Sequence, residues 1–207
     1  MKFKSLIGAF KSNFLDYDNW TKSWESNPEY MAFMQKTYED TDPNRLALGL
    51  IAPNSKILSA GCGPGREVKF LVDLKCEVTG IDHSEKMIEL SKKLEPKAVY
   101  IVGSIVGFKS KEEFDYVLCL YNTINYLPNF KTRRKFIENS YYNLKKGGKL
   151  IIITKHKFSH LGAFLRSIIS NKNFCYSPSQ IDKWFKGLQF KIKKSKIGDE
   201  ILIIAEK

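Results

Sequence analysis

Ile57-Leu58-Ser59-Ala60 runs straight into Gly61-Cys62-Gly63-Pro64-Gly65, with three glycines in five positions. The chain then continues as Arg66–Leu74, where Val68, Leu71 and Val72 share one side of a helix. A short apolar strand that ends in a glycine turn and reopens as a helix begins a strand–helix–strand unit. The chain repeats that alternation. Residues 76–82, "CEVTGID", alternate as a second strand, and 84–94 form a helix that Ser84 can cap. Residues 97–103 read as a third strand, and 114–122, "FDYVLCLYN", are apolar enough for a central parallel strand. "KTRRKFIENSYYNLKKGG" reads as a helix with Lys145 and Lys146 in its last turn and Gly147 as its stop. "KLIIIT", 149–154, is the fifth strand, and Ser177-Pro178-x-Gln180 opens a capped helix. "FKIKKSKI" and "EILIIAE" meet at Gly198-Asp199, a hairpin signal. The expected fold is α/β: a doubly wound, mostly parallel seven-stranded sheet with an antiparallel C-terminal hairpin strand, plus N-terminal helices.

A chain of 207 residues is long enough to bury one full α/β core. No apolar run approaches the 18 or so residues that a membrane-spanning helix needs. The opening "MKFKSLIGAFKSNF" has too short an apolar block for a secretory signal. Cys62, Cys76, Cys119 and Cys175 are scattered and form no C-x-x-C pair, so they read as reduced thiols of a cytoplasmic protein, with no metal site. The net charge of +12 is uneven: residues 131–207 hold 18 Lys/Arg against 5 Asp/Glu. Such a basic third suits RNA, an anionic membrane or an acidic substrate, or simply solvates the surface; the last reading is preferred.

The glycine loop narrows the cofactor. A dinucleotide fingerprint is G-x-G-x-x-G, but Arg66 stands where its third glycine belongs, and Gly65 comes one residue early. Pro64 also removes an N–H where a pyrophosphate needs donors. Asp82 ends the second strand, where a carboxylate can accept from both hydroxyls of a ribose. The pattern suits a nucleoside cofactor without pyrophosphate, and S-adenosyl-L-methionine (SAM) is one.

With these residues the chain resembles the class I SAM-dependent methyltransferases, most closely the branch acting on small molecules and natural products. "ILSAGCGPG", "VTGIDHSEKMIEL", "FDYVLCLYNTINYL" and "LKKGGKLIIIT" look like that family's motifs, in order and at its spacing, over about residues 45–207. The resemblance implies SAM as donor and S-adenosyl-L-homocysteine as product. It implies that Gly61, Cys62 and Gly63 line the methionine part, with Gly65 turning the backbone. Asp82 would hold the ribose beside His83, with Met87 against the adenine. Ser104 and Ile105 would follow strand three near the adenine, and Leu120 and Tyr121 would end strand four beside the sulfonium. Ser59 and Ser104 depart from the family, which usually carries acidic residues there; a hydroxyl accepts a hydrogen bond more weakly than a carboxylate.

Further candidates come from the loops. His156 and His160 follow strand five, and either can serve as a general base or simply be solvated. Asn122 and Asn125 orient a substrate or satisfy turn backbone; the two readings weigh equally. Tyr141-x-x-x-Lys145 and Tyr142-x-x-x-Lys146 match the dehydrogenase Y-x-x-x-K pair, but without the dinucleotide fingerprint they read as helix surface. Residues 1–45 are expected to form a helical lid or extension, with Tyr17 and Trp20 toward the cofactor, and residues 46–207 the SAM-binding domain, with a small helical insertion at about 156–176. Apolar stripes at 3–14 and 158–169 suit a lid over an apolar substrate, peripheral membrane contact, or packing on the protein itself; packing is preferred. The expected reaction is methyl transfer to N or O of a small, apolar or anionic molecule by in-line displacement. An RNA methyltransferase or a non-catalytic SAM-binding regulator is the alternative. Asp82→Ala is expected to weaken SAM binding about ten- to a hundredfold, the equivalent of about 1.5–3 kcal/mol. Unchanged affinity by calorimetry in a folded variant would remove Asp82 from the cofactor site.

Overall fold

The structure is a computed structural model that describes residues 43–111, 113–156 and 176–207. The chain divides into two compact units, Met1–Tyr38 and Glu39–Lys207, and the description below concerns the second. Tyr17, Trp20, Cys175, His160 and both apolar stripes lie outside the described residues.

The elements run α1 (Pro43–Leu48), β1 (Lys56–Ala60), α2 (Arg66–Asp73), β2 (Glu77–Asp82), α3 (Glu85–Leu94), β3 (Val99–Val102) and β4 (Phe114–Cys119). A 3₁₀ turn (Thr123–Tyr126) follows, then α4 (Phe130–Asn143), β5 (Leu144–Lys155), α5 (Pro178–Phe185), β6 (Lys191–Ile197) and β7 (Glu200–Glu206). All seven strands join one sheet in the order β3-β2-β1-β4-β5-β7-β6. β1 to β5 pair in parallel, while β7 runs antiparallel to both β5 and β6. The doubly wound sheet and its antiparallel hairpin are as the alternation implied.

Burial explains the strand sequences. Leu150, Ile151, Ile152 and Ile153 of β5 are all fully buried, as a strand covered on both faces requires. The outer strand β3 instead leaves Val99 and Val102 largely exposed. Ser84 caps α3 by accepting from the Met87 N–H at 3.3 Å. Ser177 and Gln180 form the expected capping box on α5, with Pro178 in its first turn.

The junction of α4 and β5 departs from expectation. The helix stops at Asn143, and Lys145 and Lys146 belong to β5, not to a last helical turn. Leu144 turns extended (φ −89°, ψ 139°) and pairs with Phe114 of β4. Two tertiary contacts outweigh the local helix signals. The Lys145 ammonium meets the Asp115 carboxylate at 2.8 Å, and the Lys207 ammonium donates to the Leu144 carbonyl at 2.6 Å. Gly147, at φ 79°, donates its N–H to the Lys207 carbonyl. Tyr141 and Lys145 therefore do not share a helix face, and the dehydrogenase pair is absent. β4 also ends earlier than its apolar run, at Cys119, because Tyr121 and Asn122 adopt positive φ.

The parallel strands place the Gly61 turn, Asp82, Ser104, Leu120–Asn125 and His156 along one edge of the sheet, at their carboxyl ends. β1 lies between β2 and β4, where the winding reverses, and ligands of open α/β sheets bind outside such a point. No helix among the described residues is long and apolar enough to cross a membrane. Ile152→Ala is expected to cost about 2–5 kcal/mol in chemical denaturation, because it opens a cavity in a strand buried on both faces. Lys193→Ala, on the exposed side of β6, is expected to stay within about 0.5 kcal/mol.

Candidate active site

The glycine loop is shaped by close packing as much as by backbone freedom. A Cβ on Gly61 would lie 2.3 Å from Thr123 Cγ2, and one on Gly65 would lie 2.9 Å from Ser91 Oγ. A Cβ on Gly63 would meet nothing within 4 Å, so the loop opens at that point. All three have positive φ: 76°, 52° and 85°. The loop is tied down at several atoms. The Gly61 and Cys62 N–H groups donate to the Ile81 carbonyl, and the Ser91 hydroxyl donates to the Gly63 carbonyl at 2.7 Å.

Asp82 is 2% exposed and joins the loop to β2. Its Oδ2 accepts from the Gly63 N–H at 3.0 Å, and its Oδ1 accepts from the Ser84 N–H at 3.0 Å. His83 stands half-exposed beside it, with Nδ1 3.7 Å from Oδ1. The Gly103 N–H donates to the Asp82 carbonyl at 2.8 Å, bringing the end of β3 to the same place. Ser104 is exposed, and its hydroxyl accepts from the Val106 N–H; Ile105 is half-buried. Met87 is buried at 1% exposure.

Sequence reasoning missed Glu67. Ser59 stands where an acidic residue is usual, and its hydroxyl donates to Glu67 Oε1 at 2.5 Å. Glu67 is 2% exposed, so a carboxyl group occupies this place after all, supplied from the first turn of α2. Burial pushes the Glu67 carboxyl above the ordinary glutamate value, and the nearby Asp82 charge adds to this. Burial, with Glu67 and then Asp82, likewise pushes the Cys62 thiol far up, which disfavours a thiolate there. Cys119, fully buried, shifts the same way, and Cys62, Cys76 and Cys119 are all free. The signal available in the sequence was an acid in the first turn of a helix whose preceding strand lacked one.

Beyond β4, Tyr121 and Asn122 are consecutive non-glycine residues at φ 50° and 61°. Each such conformation costs of order 1–3 kcal/mol and persists only where its surroundings fix it. Here they do. The Tyr121 N–H donates to Asn44 Oδ1 at 2.7 Å, and the Arg66 guanidinium lies 3.9 Å over the Tyr121 ring. Asn122 Nδ2 donates to Glu200 Oε1 at 2.6 Å, and Lys155 pairs with the same oxygen at 2.7 Å. Asn122 Oδ1 is buried and has no hydrogen-bond partner. Asn125, by contrast, uses its Oδ1 to accept from the Thr154 hydroxyl at 2.7 Å. Leu120 is buried at 3% exposure. His156 is half-buried at the end of β5, where its N–H donates to the Asp199 carbonyl.

The structure thus gathers Gly61, Cys62, Gly63, Gly65, Asp82 and His83 into one cluster, with Thr123 linking it to the Leu120–Asn125 segment. The open space at Gly63 and the buried carboxyl groups of Asp82 and Glu67 fit a cationic nucleoside such as SAM. Gly63→Ala is expected to cost about 1–2 kcal/mol for its positive φ and to fold, yet to lose SAM binding by calorimetry. Gly61→Ala is expected to cost more, because its methyl meets Thr123. Glu67 also predicts a pH effect. Its folded pKa lies above the ordinary 4.5, so the folded state holds the proton more tightly. Its stabilising contribution is complete below that value and is lost as pH rises through the raised folded pKa. Unfolding free energies of wild type and Glu67→Gln, measured against pH, are expected to show this decline only in wild type.

Residues 57–148 match the family described as "Methyltransferase domain". A ubiquinone biosynthesis O-methyltransferase from Pelagibacter ubique is 34% identical over 108 residues, covering 50% of this chain and 43% of that protein. The chain spans less than half the length of the curated relatives it matches. Among solved structures, a TehB-like SAM-dependent methyltransferase from Corynebacterium glutamicum superposes with a TM-score of 0.69 at 17% identity, over 92% of this chain and 97% of that one. The N-methyltransferase NodS from Bradyrhizobium japonicum, in complex with S-adenosyl-L-homocysteine, gives a TM-score of 0.67 at 16% identity, over 90% and 95% of the two chains. Residues 57–148 are thus a methyltransferase domain by sequence, and the sheet has the fold of the SAM-dependent methyltransferases with which the chain superposes.

Proposed function

We propose that this chain transfers a methyl group from SAM to a nitrogen or oxygen of a small molecule. The observation that carries this reading is Asn122 Oδ1, a buried acceptor without a partner at the carboxyl end of β4. A buried acceptor left unmade is costly, so the site favours a ligand with a donor N–H or O–H. When bound, SAM supplies an electrophilic methyl on a sulfonium. The Gly61–Gly65 loop would line its methionine part and Asp82 its ribose; each Asp82 oxygen keeps a second lone pair beside its backbone partner. His83, Met87, Ser104 and Ile105 are proposed toward the adenine, and Leu120 and Tyr121 toward the sulfonium. Asn122 then holds the nucleophile by its N–H or O–H and turns the lone pair toward the methyl, so alignment supplies most of the rate. A neutral amine needs no base before attack and loses its proton afterwards; a hydroxyl would give its proton to a base, for which His156 is the candidate.

The glycine-loop cluster also bears on the alternative of a non-catalytic SAM binder, for which the lack of acidic residues at Ser59 and Ser104 speaks. Ser59 shares its place with the Glu67 carboxyl, which favours a working cofactor site. The RNA alternative draws on the basic C-terminal third. Residues 1–45 as a lid, the insertion at about 156–176, and Tyr17 and Trp20 in the cofactor site remain part of the proposal.

The test is calorimetry with SAM, followed by methyl transfer from labelled SAM to a panel of small amines and alcohols. Asn122→Gly keeps the left-handed backbone and removes the amide. It is expected to leave SAM affinity unchanged and to lower kcat/KM about ten- to a hundredfold, the equivalent of about 1.4–2.7 kcal/mol. Full turnover in that variant would overturn the role of Asn122. SAM binding without transfer to any small acceptor, but with transfer to RNA, would overturn the substrate class.

A further inference from the structure

Arg133 lies in the first turn of α4 and is only 6% exposed. One of its terminal nitrogens donates to the Leu127 carbonyl at 2.5 Å, and its guanidinium lies 5.0 Å over the Tyr176 ring. Its Nε is buried without a hydrogen-bond partner, and no carboxylate among the described residues pairs with it. Its half-buried neighbour Arg134 does have a carboxylate, Glu138 Oε1 at 3.0 Å. The buried guanidinium is therefore the unneutralised one. Burial also pulls Arg133 below the ordinary arginine range. Holding an unpaired cation out of water is expensive, and a planar guanidinium is shaped to take a carboxylate or phosphate through two N–H groups.

Its surroundings place it at the edge already described. Leu127 ends the 3₁₀ turn that Asn122 begins. Tyr176, on which Arg133 stacks, bridges to His156 at the end of β5. Lys155, next in sequence, pairs with Glu200, and Glu200 accepts from Asn122. The contacts close into a ring: Asn122, Glu200, Lys155, His156, Tyr176, Arg133 and Leu127. The ring's one carboxylate, Glu200, is committed to Lys155 and Asn122. The ring thus holds an unused acceptor, Asn122 Oδ1, and an unneutralised donor, Arg133.

We propose that Arg133 is an anion site for the methyl acceptor, binding a carboxylate or phosphate group of the molecule whose N–H or O–H meets Asn122. The inference rests on the methyltransferase reading only for assigning that anion to the acceptor. It narrows the substrate to a small bifunctional molecule, with a nucleophilic nitrogen or oxygen at one end and an anionic group at the other. A purely structural Arg133, pinning Leu127 and Tyr176, makes a different prediction: stability indifferent to anions.

The experiment uses the full chain, with and without S-adenosyl-L-homocysteine. Thermal unfolding is followed in sodium acetate and in sodium phosphate against sodium chloride at matched ionic strength. Wild type is expected to gain a saturable rise in Tm with at least one of the two anions, and the pair distinguishes carboxylate from phosphate. Arg133→Gln is expected to weaken that effect at least about tenfold, and Arg133→Lys to retain part of it, while calorimetric affinity for S-adenosyl-L-homocysteine stays unchanged. A wild type that responds to neither anion beyond chloride overturns the inference without any variant. So does an anion effect that persists in Arg133→Gln. Failure of the chain to bind S-adenosyl-L-homocysteine would instead overturn the cofactor reading, and the anion response of the cofactor-free chain would still decide the fate of Arg133.

Discussion

The Asp82 carboxylate accepts a main-chain N–H from each side, Gly63 from the glycine loop and Ser84 from the start of α3. Charge-assisted bonds of this kind are about twice as strong as neutral ones, and here they are almost wholly out of water. They tie β2 to the turn after β1, and the Gly103 N–H adds the end of β3 through the Asp82 carbonyl. Thr123, packed where a Cβ on Gly61 would sit, extends the connection to the segment after β4. Four strand ends thus share one set of contacts. A side chain expected only to meet a ligand also builds the place where the ligand would lie.

That dual role explains the electrostatics of the edge. Asp82 and Glu67 bring two carboxyl groups into a buried region with Cys62, and burial raises both Glu67 and the thiol. On the other side of β4, the left-handed Tyr121–Asn122 pair is held by Asn44, Arg66 and Glu200, contacts that come from three different elements. Held in this way, Asn122 keeps its Oδ1 buried and without a hydrogen-bond partner.

The parts of the fold written in local patterns were legible. β1, β2 and the C-terminal hairpin follow from apolar runs bounded by turn residues, and the α5 cap from Ser177 and Gln180. The α4–β5 junction was not, because Lys145, Lys146 and Gly147 look like a helix end, while Asp115 and Lys207, distant in sequence, decide otherwise. The glycine turn at Gly61, Gly63 and Gly65 and the place of Asp82 at the end of β2 could be read from spacing. The contacts of Glu67 and Arg133 could not, since they reach partners that no local pattern announces: Ser59 in one case, Leu127 and Tyr176 in the other. The basic C-terminal third has a local account too. Lys191, Lys193 and Lys196 are exposed on β6, an outermost strand, where lysines deter edge-to-edge pairing.

The central claim is that the cluster of Gly61–Gly65, Asp82 and Glu67 holds SAM and presents its methyl to the Asn122 ring. A crystal structure of the full chain with S-adenosyl-L-homocysteine tests it most directly. The account predicts the ribose on Asp82, the amino-acid end against Gly61–Gly63, and the sulfur toward Tyr121 and Asn122. Ligand density elsewhere on the sheet, or none in a chain soaked to saturation, would contradict it.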